Sequence, residues 1–200
     1  METISNALFW ISNGLLVPVV VLLLLFLVRA LILVGGFFGE YYRRHTLQKK
    51  VTTLLEGEVS AREAGLAELS ARPEADKIPL LRAIRQLLAH RSDTAWCERL
   101  LSNYEVDAQR ELASARTLAK LGPMLGLMGT LIPMGPALVG LAAGDLASMA
   151  YNMQVAFATT VVGMLIAAIG VVILQVRQRW YARELNDLEY IAQFVRDEKA

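Results

Sequence analysis

The chain has 200 residues, of which 55% are hydrophobic, with a mean hydropathy of +0.42 and a formal net charge of +1. That composition is too apolar for an ordinary soluble domain and leaves a multi-span membrane protein as the default class. The single cysteine, Cys97, excludes an intramolecular disulfide; His45 and His90 have no Cys, Asp or Glu at ligand spacing, so a metal site made by one chain is not expected.

Residues 1–13 form an outer-side segment that reads as a short interfacial helix with Phe9 and Trp10 at headgroup level. Residues 14–39 form the first transmembrane helix, because the Leu- and Val-rich run 15–38 exceeds the roughly 20 residues a bilayer core requires. The run is not a signal peptide: it has no basic residue before it, it is too long, and a basic block follows it. Arg29 is its anomaly. It either snorkels toward the inner headgroups or makes an ion-pair or lipid-head contact that sets subunit packing.

Residues 40–117 form a cytoplasmic helical region. The first helix is expected to continue over 40–70, with Leu47, Val51, Leu54, Leu55 and Val59 as its apolar face, until Pro73 and Pro79 interrupt it. A short amphipathic helix follows over 80–90. Ser92 or Asp93 then caps a long helix that carries Trp96, Leu100, Leu101, Tyr104 and Leu112 into the second span. About 75 inner residues would make little independent core, so they read as helical extensions of the spans.

Residues 118–141 form the second transmembrane helix, 142–149 an outer-side loop, and 150–176 the third transmembrane helix. At about 100° per residue, Gly122, Gly126, Gly129, Pro133, Ala137 and Gly140 share one narrow arc with Thr130 at its edge. Asn152, Ala156, Thr159, Thr160, Gly163, Ala167 and Gly170 share a face of the third span. Lipid gives helices no hydrophobic reason to associate, so such faces imply close approach of another helix. Residues 177–200 form a cytoplasmic C-terminal helix, with Tyr181, Leu185, Leu188, Ala192 and Val195 on one side. The fold class is thus an all-α membrane protein: three transmembrane helices with long cytoplasmic extensions.

Orientation follows from the basic residues. Arg43, Arg44, Lys49 and Lys50 follow the first span, Arg110, Arg116 and Lys120 precede the second, and Arg177, Arg179 and Arg183 follow the third. Neither the first dozen residues nor the 142–149 loop has a Lys or Arg, so the N-terminus is outside and the bulk and C-terminus are inside.

Between Gly122 and Val176 there is no Asp, Glu, Lys, Arg or His apart from Asp145, in the loop. A proton or sodium path needs a titratable or coordinating group at depth. The spans offer Thr130, Thr159, Thr160 and Asn152 instead, so either nothing is conducted or the carboxylate comes from another chain. Each threonine either bonds back to its own helix or lines a narrow wet passage. Pro133 removes a backbone bond to the Gly129 carbonyl, which either kinks the helix for packing or frees a carbonyl to line a pore. No phosphate loop or nucleophile constellation is present, so an enzyme is not expected, and neither is a nucleic-acid partner or a cofactor.

RTLAKLGPMLGLMGTLIPM followed by MQVAFATTVVGMLIAAIGVVI resembles the paired signature of the MotA/TolQ/ExbB proton-channel family, in its three-span ExbB/TolQ-like branch. The resemblance implies a homo-oligomeric ring, a pentamer by family habit, in the inner (plasma) membrane. It implies two copies of a small single-span ExbD/TolR/MotB-like partner in the central pore, each bringing an intramembrane Asp. Translocated H⁺ or Na⁺ would then drive rotation, mechanical work or transport. Thr130 and Thr160 match the family's pore-facing threonines, with Thr159 and Asn152 nearby; Gly122, Gly126, Gly129, Pro133, Ala156, Gly163 and Ala167 are the helix-packing residues. Val155 stands where ExbB/TolQ members carry a glutamate. The faces centred on Gly126 and Ala156 have the smooth, uncharged character that a rotating interface needs. The alternative is a non-conducting scaffold whose glycine faces simply pack; a small transporter lacks both an internal repeat and a charged binding group.

Overall fold

In a computed structural model of the chain, residues 2–57, 59–71, 78–90 and 93–197 are described. Their regular structure is helical: α1 (Glu2–Glu56), α2 (Val59–Ala71), α3 (Pro79–Ala89), α4 (Thr94–Ala142) and α5 (Leu146–Asp197). Three of these, α1, α4 and α5, are long and apolar enough to cross a membrane. Their 55, 49 and 52 residues, at ~1.5 Å each, far exceed the ~30 Å of hydrocarbon, so each continues well beyond a span.

The chain divides into two compact units, Met1–Phe37 with Ser114–Leu174, and Phe38–Ala113 with Gln175–Ala200. In the first, Val19, Leu23 and Ala30 of α1 form a buried cluster with Leu118, Leu125 and Ile132 of α4 and Ile166 of α5. The seven-residue spacing along α4 keeps one stripe against its neighbours, as in left-handed helix packing. Pro18 in α1 and Pro123, Pro133 and Pro136 in α4 interrupt neither helix. The N-terminal stretch is not a separate interfacial helix. Residues 2–13 are the start of α1, and Phe9 lies 3.5 Å from where a Cβ on Gly135 would stand.

The hairpin between α4 and α5 needs only three residues. The Asp145 N–H donates to the Gly140 carbonyl (2.9 Å), Gly144 takes φ +75°, and the Asp145 carboxylate caps α5 by accepting from the Ser148 N–H at 3.0 Å.

The second unit departs from the sequence expectation in two ways. The helix expected over 40–70 breaks at Gly57, and α2 folds back so that a Cβ on Gly65 would lie 2.5 Å from Leu54 Cδ2. In a straight helix those two positions would stand ~16 Å apart. Val59 therefore opens α2 rather than extending the face of α1. The unit also has a core of its own: Val51, Leu66, Leu81, Ile84, Leu87, Leu188 and Ile191 are at most 2% exposed. The ends of α1, α4 and α5 supply walls that a count of inner residues alone omits. Asp93 caps α4, accepting from the Trp96 N–H at 3.0 Å, whereas Ser92 and the 72–77 stretch with Pro73 lie outside the described residues. Pro79 opens α3, where its missing N–H forfeits nothing.

Candidate functional site

Close approach of α4 and α5 in the first unit depends on residues that have no side chain. A Cβ on Gly122 would lie 2.8 Å from the Gly163 carbonyl oxygen and 2.9 Å from the Ala167 nitrogen. One on Gly163 would lie 2.7 Å from the Gly122 carbonyl oxygen and 2.8 Å from Gly126 Cα, and one on Gly170 would lie 2.5 Å from the Ala119 nitrogen. Gly129 leaves room for Thr159, whose Oγ1 would be 2.6 Å from a Cβ there. Pro133, Ala137 and Ala156 are buried, and Gly140 faces Asp145 and Met149 at the hairpin. The faces centred on Gly126 and Ala156 are thus turned on each other inside the chain, not outward as a free sliding surface. The reason is direct: two small-residue stripes in one hairpin are each other's nearest partners.

The polar residues on these faces donate to their own helices. Thr130 Oγ1 donates to the Leu127 carbonyl (2.7 Å) and Thr160 Oγ1 to the Ala156 carbonyl (3.2 Å). Thr159, 6% exposed, reaches the carbonyls of Val155 (3.1 Å) and Ala156 (2.9 Å). Asn152 Nδ2 donates to the Ser148 carbonyl at 2.9 Å. Thr130, Thr160 and Asn152 are half-buried; Thr159 is brought against Gly129, and the Thr160 backbone against Gly126. A hydroxyl whose proton is committed to a backbone carbonyl still offers its oxygen lone pairs. Thr130 and Thr160 in this arrangement are acceptors, suited to a protonated acid or a cation. In the same unit, Arg29 Nη2 donates to Ser114 Oγ of α4 at 3.2 Å, so its head group engages a neighbouring helix.

A second constellation, in the other unit, escaped the sequence reading. Arg44, 8% exposed, donates through Nη1 to both oxygens of Glu184 (2.7 and 2.8 Å), through Nε to Glu40 (2.8 Å) and through Nη2 to the Tyr181 hydroxyl (2.9 Å). The Tyr104 hydroxyl donates to Glu184 Oε2 at 2.5 Å, that of Tyr181 donates to Glu111, and Arg177 Nη2 donates to Glu40 at 2.6 Å. The cluster ties α1, α4 and α5 together. Burial, with the Glu184 carboxylate beside it, pushes the Tyr104 phenol well above its usual range; burial and Glu111 do the same for Tyr181, so both stay neutral donors. The signal was present but unread: Glu184 falls on the Tyr181–Leu188 apolar stripe, where a charge requires a partner.

Among the described residues no group of His, Cys, Asp and Glu could hold a metal ion. His90 instead stacks on Trp96, with ring centroids 4.0 Å apart. The sequence profile of the MotA/TolQ/ExbB proton channel family matches residues 79–190, which takes in α3, α4 and most of α5. Comparison with curated proteins gives no match.

Proposed function

The chain belongs to the MotA/TolQ/ExbB proton channel family, and from that premise we propose that it is a ring subunit of an ion-driven membrane motor. It is a multi-pass membrane protein with three membrane-length helices. In this reading it sits in the inner membrane with its N-terminus outside. Its ring, a pentamer by family habit, surrounds two copies of a single-span ExbD/TolR/MotB-like partner, and H⁺ or Na⁺ flow is coupled to rotation, mechanical work or transport. No enzymatic step and no bound cofactor enter it.

One observation supports the reading: the apolar α4–α5 pair carries the Thr130 and Thr160 hydroxyls within its membrane-length run yet has no Asp, Glu, Lys, Arg or His between Gly122 and Val176 except Asp145 of the hairpin. An ion path along this pair therefore needs an acid from another chain. Burying that acid ionised costs at least ~2.5 kcal/mol on insertion scales, and lone-pair donors such as Thr130 and Thr160 favour its protonated form. One charge crossing ~100 mV releases about 2.3 kcal/mol. That exceeds the net worth of one or two hydrogen bonds, so a charge-free contact can be broken and remade at each step.

A second reading, the non-conducting scaffold, draws support from the back-bonded threonines and from glycine faces buried on each other. Thr130→Ala and Thr160→Val separate the two. The motor reading expects ion-dependent work to fall at least 100-fold while native mass spectrometry still finds the assembled complex, and Thr130→Ser to retain activity. Full activity in both variants overturns the ion-path assignment and favours the scaffold.

A further inference from the structure

Two grooves of opposite charge character open on the second unit. The first, a cleft of ≈720 Å³ between α3 and α4, is lined by Arg82, Arg99 and Arg110 against Asp107 and Glu111, with Trp96 and Tyr104 in its wall; Asp107 accepts from Arg110, and the balance is cationic. The second, of ≈370 Å³ between α1 and α5, is lined by Asp187, Glu189 and Tyr190 together with Thr52 and Leu55. Asp187 is half-buried, and burial pushes its carboxyl up, offset in part by nearby Arg183. The Tyr190 hydroxyl accepts from Arg62 at 2.8 Å, and Glu189 is the exposed carboxylate of this groove.

Their levels match. In this unit α4 and α5 run antiparallel, since Glu111 meets Tyr181 and Tyr104 meets Glu184. Five residues back along α4 from Tyr104 is Arg99, and five residues on along α5 from Glu184 is Glu189, both exposed. The two side chains therefore stand at one height along the helix axes. A membrane protein inserted one way round meets its copies only by rotation or translation in the bilayer plane, so groups at equal depth face each other. A head-to-tail contact of this kind joins two different patches, and it closes into a ring when the rotation between copies divides a full turn.

We propose that the Arg99-bearing rim of the α3–α4 cleft of one copy meets the Glu189-bearing rim of the α1–α5 groove of the next, with Arg99 opposite the next copy's Glu189. The inference rests on the ring reading and names the surface through which the copies meet outside the membrane. Such rim charges set register and partner choice more than raw affinity. The pairing also explains why two exposed, oppositely charged grooves lie on different helix pairs of one chain.

The test is native mass spectrometry of the full-length chain released from detergent. A wild-type chain that is monomeric overturns the ring reading itself. With a wild-type ring present, Arg99→Glu and Glu189→Arg should each lower the ring fraction at least 10-fold, and the double variant should restore it. As an independent readout that does not depend on tolerating a reversed charge, Arg99→Cys with Glu189→Cys in a Cys97→Ser background should give an oxidised ladder of covalent oligomers. Rings unaffected by either single variant, or a double variant that fails to recover, overturn the pairing. So does an Arg99→Glu ring that keeps its mass but sheds a bound lipid or a foreign protein.

Discussion

A Cβ on Gly163 would press on the Gly122 carbonyl oxygen at 2.7 Å and on Gly126 Cα at 2.8 Å, and backbone cannot yield as a flexible side-chain tip does. Gly163→Ala should therefore destabilise the chain by about 1–3 kcal/mol, the range for overpacked interiors. Gly36 lies in the same kind of apolar helix with nothing within 4 Å of its would-be Cβ. There Gly36→Ala should stabilise by roughly 0.5–1 kcal/mol, because alanine loses less backbone freedom on folding. Thermal unfolding of both variants in the same detergent decides it; equal effects would mean that α4 and α5 do not meet at these glycines. The small-residue stripes themselves were legible in the sequence, since a period of 3.6 is a local property. Their mutual burial was not, because one arc of glycines looks the same whether it faces its own hairpin partner or another chain.

At the scale of helices, the Arg44 cluster joins residues 140 apart in sequence, so no local pattern could announce it. Glu40 and Arg44 form an i,i+4 pair that gives no sign of a distant partner, and in the sequence Arg44 served only to orient the chain. The Asp93 cap was easier, because its partner lies three residues away, whereas the equally local Asp145 cap was subsumed in a loop drawn over 142–149. The Gly57 break was hidden because one glycine in a helical pattern is usually tolerated. Removing one member of a buried ion pair strands the other, so Arg44→Met should cost about 3–5 kcal/mol, whereas Arg44→Met with Glu184→Leu should recover most of it. Arg44→Lys should not substitute, since a single ammonium cannot reach Glu40, Glu184 and Tyr181 together. Denaturant titrations of the three variants measure this; an additive double variant would show that the pair is not coupled.

The same cluster makes stability depend on pH. The Tyr104 phenol is raised above its ordinary value of 10.0, first by burial and then by Glu184. A raised folded value means that this stability is fully present below about pH 10 and is lost as pH climbs toward the folded value. Tyr104→Phe should start from a lower melting temperature, having lost a hydrogen bond to a charged group worth ~1.5–3 kcal/mol. It should also fall less steeply than wild type between pH 10 and 11. Parallel slopes would mean that Tyr104 ionises freely in the folded chain.

For the molecule as a whole, the distribution of cations is the strongest asymmetry. Of its 20 Lys and Arg residues, only Arg29 lies before Arg43, and none lies between Gly122 and Val176. In the proposed N-terminus-outside orientation, each juxtamembrane cation near an anionic inner leaflet gains ~1 kcal/mol, and the inverted orientation would forfeit several such contacts at once. Arg29 strengthens the argument from within the first unit, since its contact with Ser114 draws the one early cation to the same end as Arg116 and Lys120. Cysteines make this testable in a Cys97→Ser background. Ala143→Cys, in the exposed α4–α5 hairpin, should react with a membrane-impermeant maleimide on intact spheroplasts, while Ser102→Cys, exposed on α4, should react only after permeabilisation. The opposite labelling pattern would invert the chain, and with it the side of the membrane on which the α3–α4 cleft and the Arg44 cluster lie.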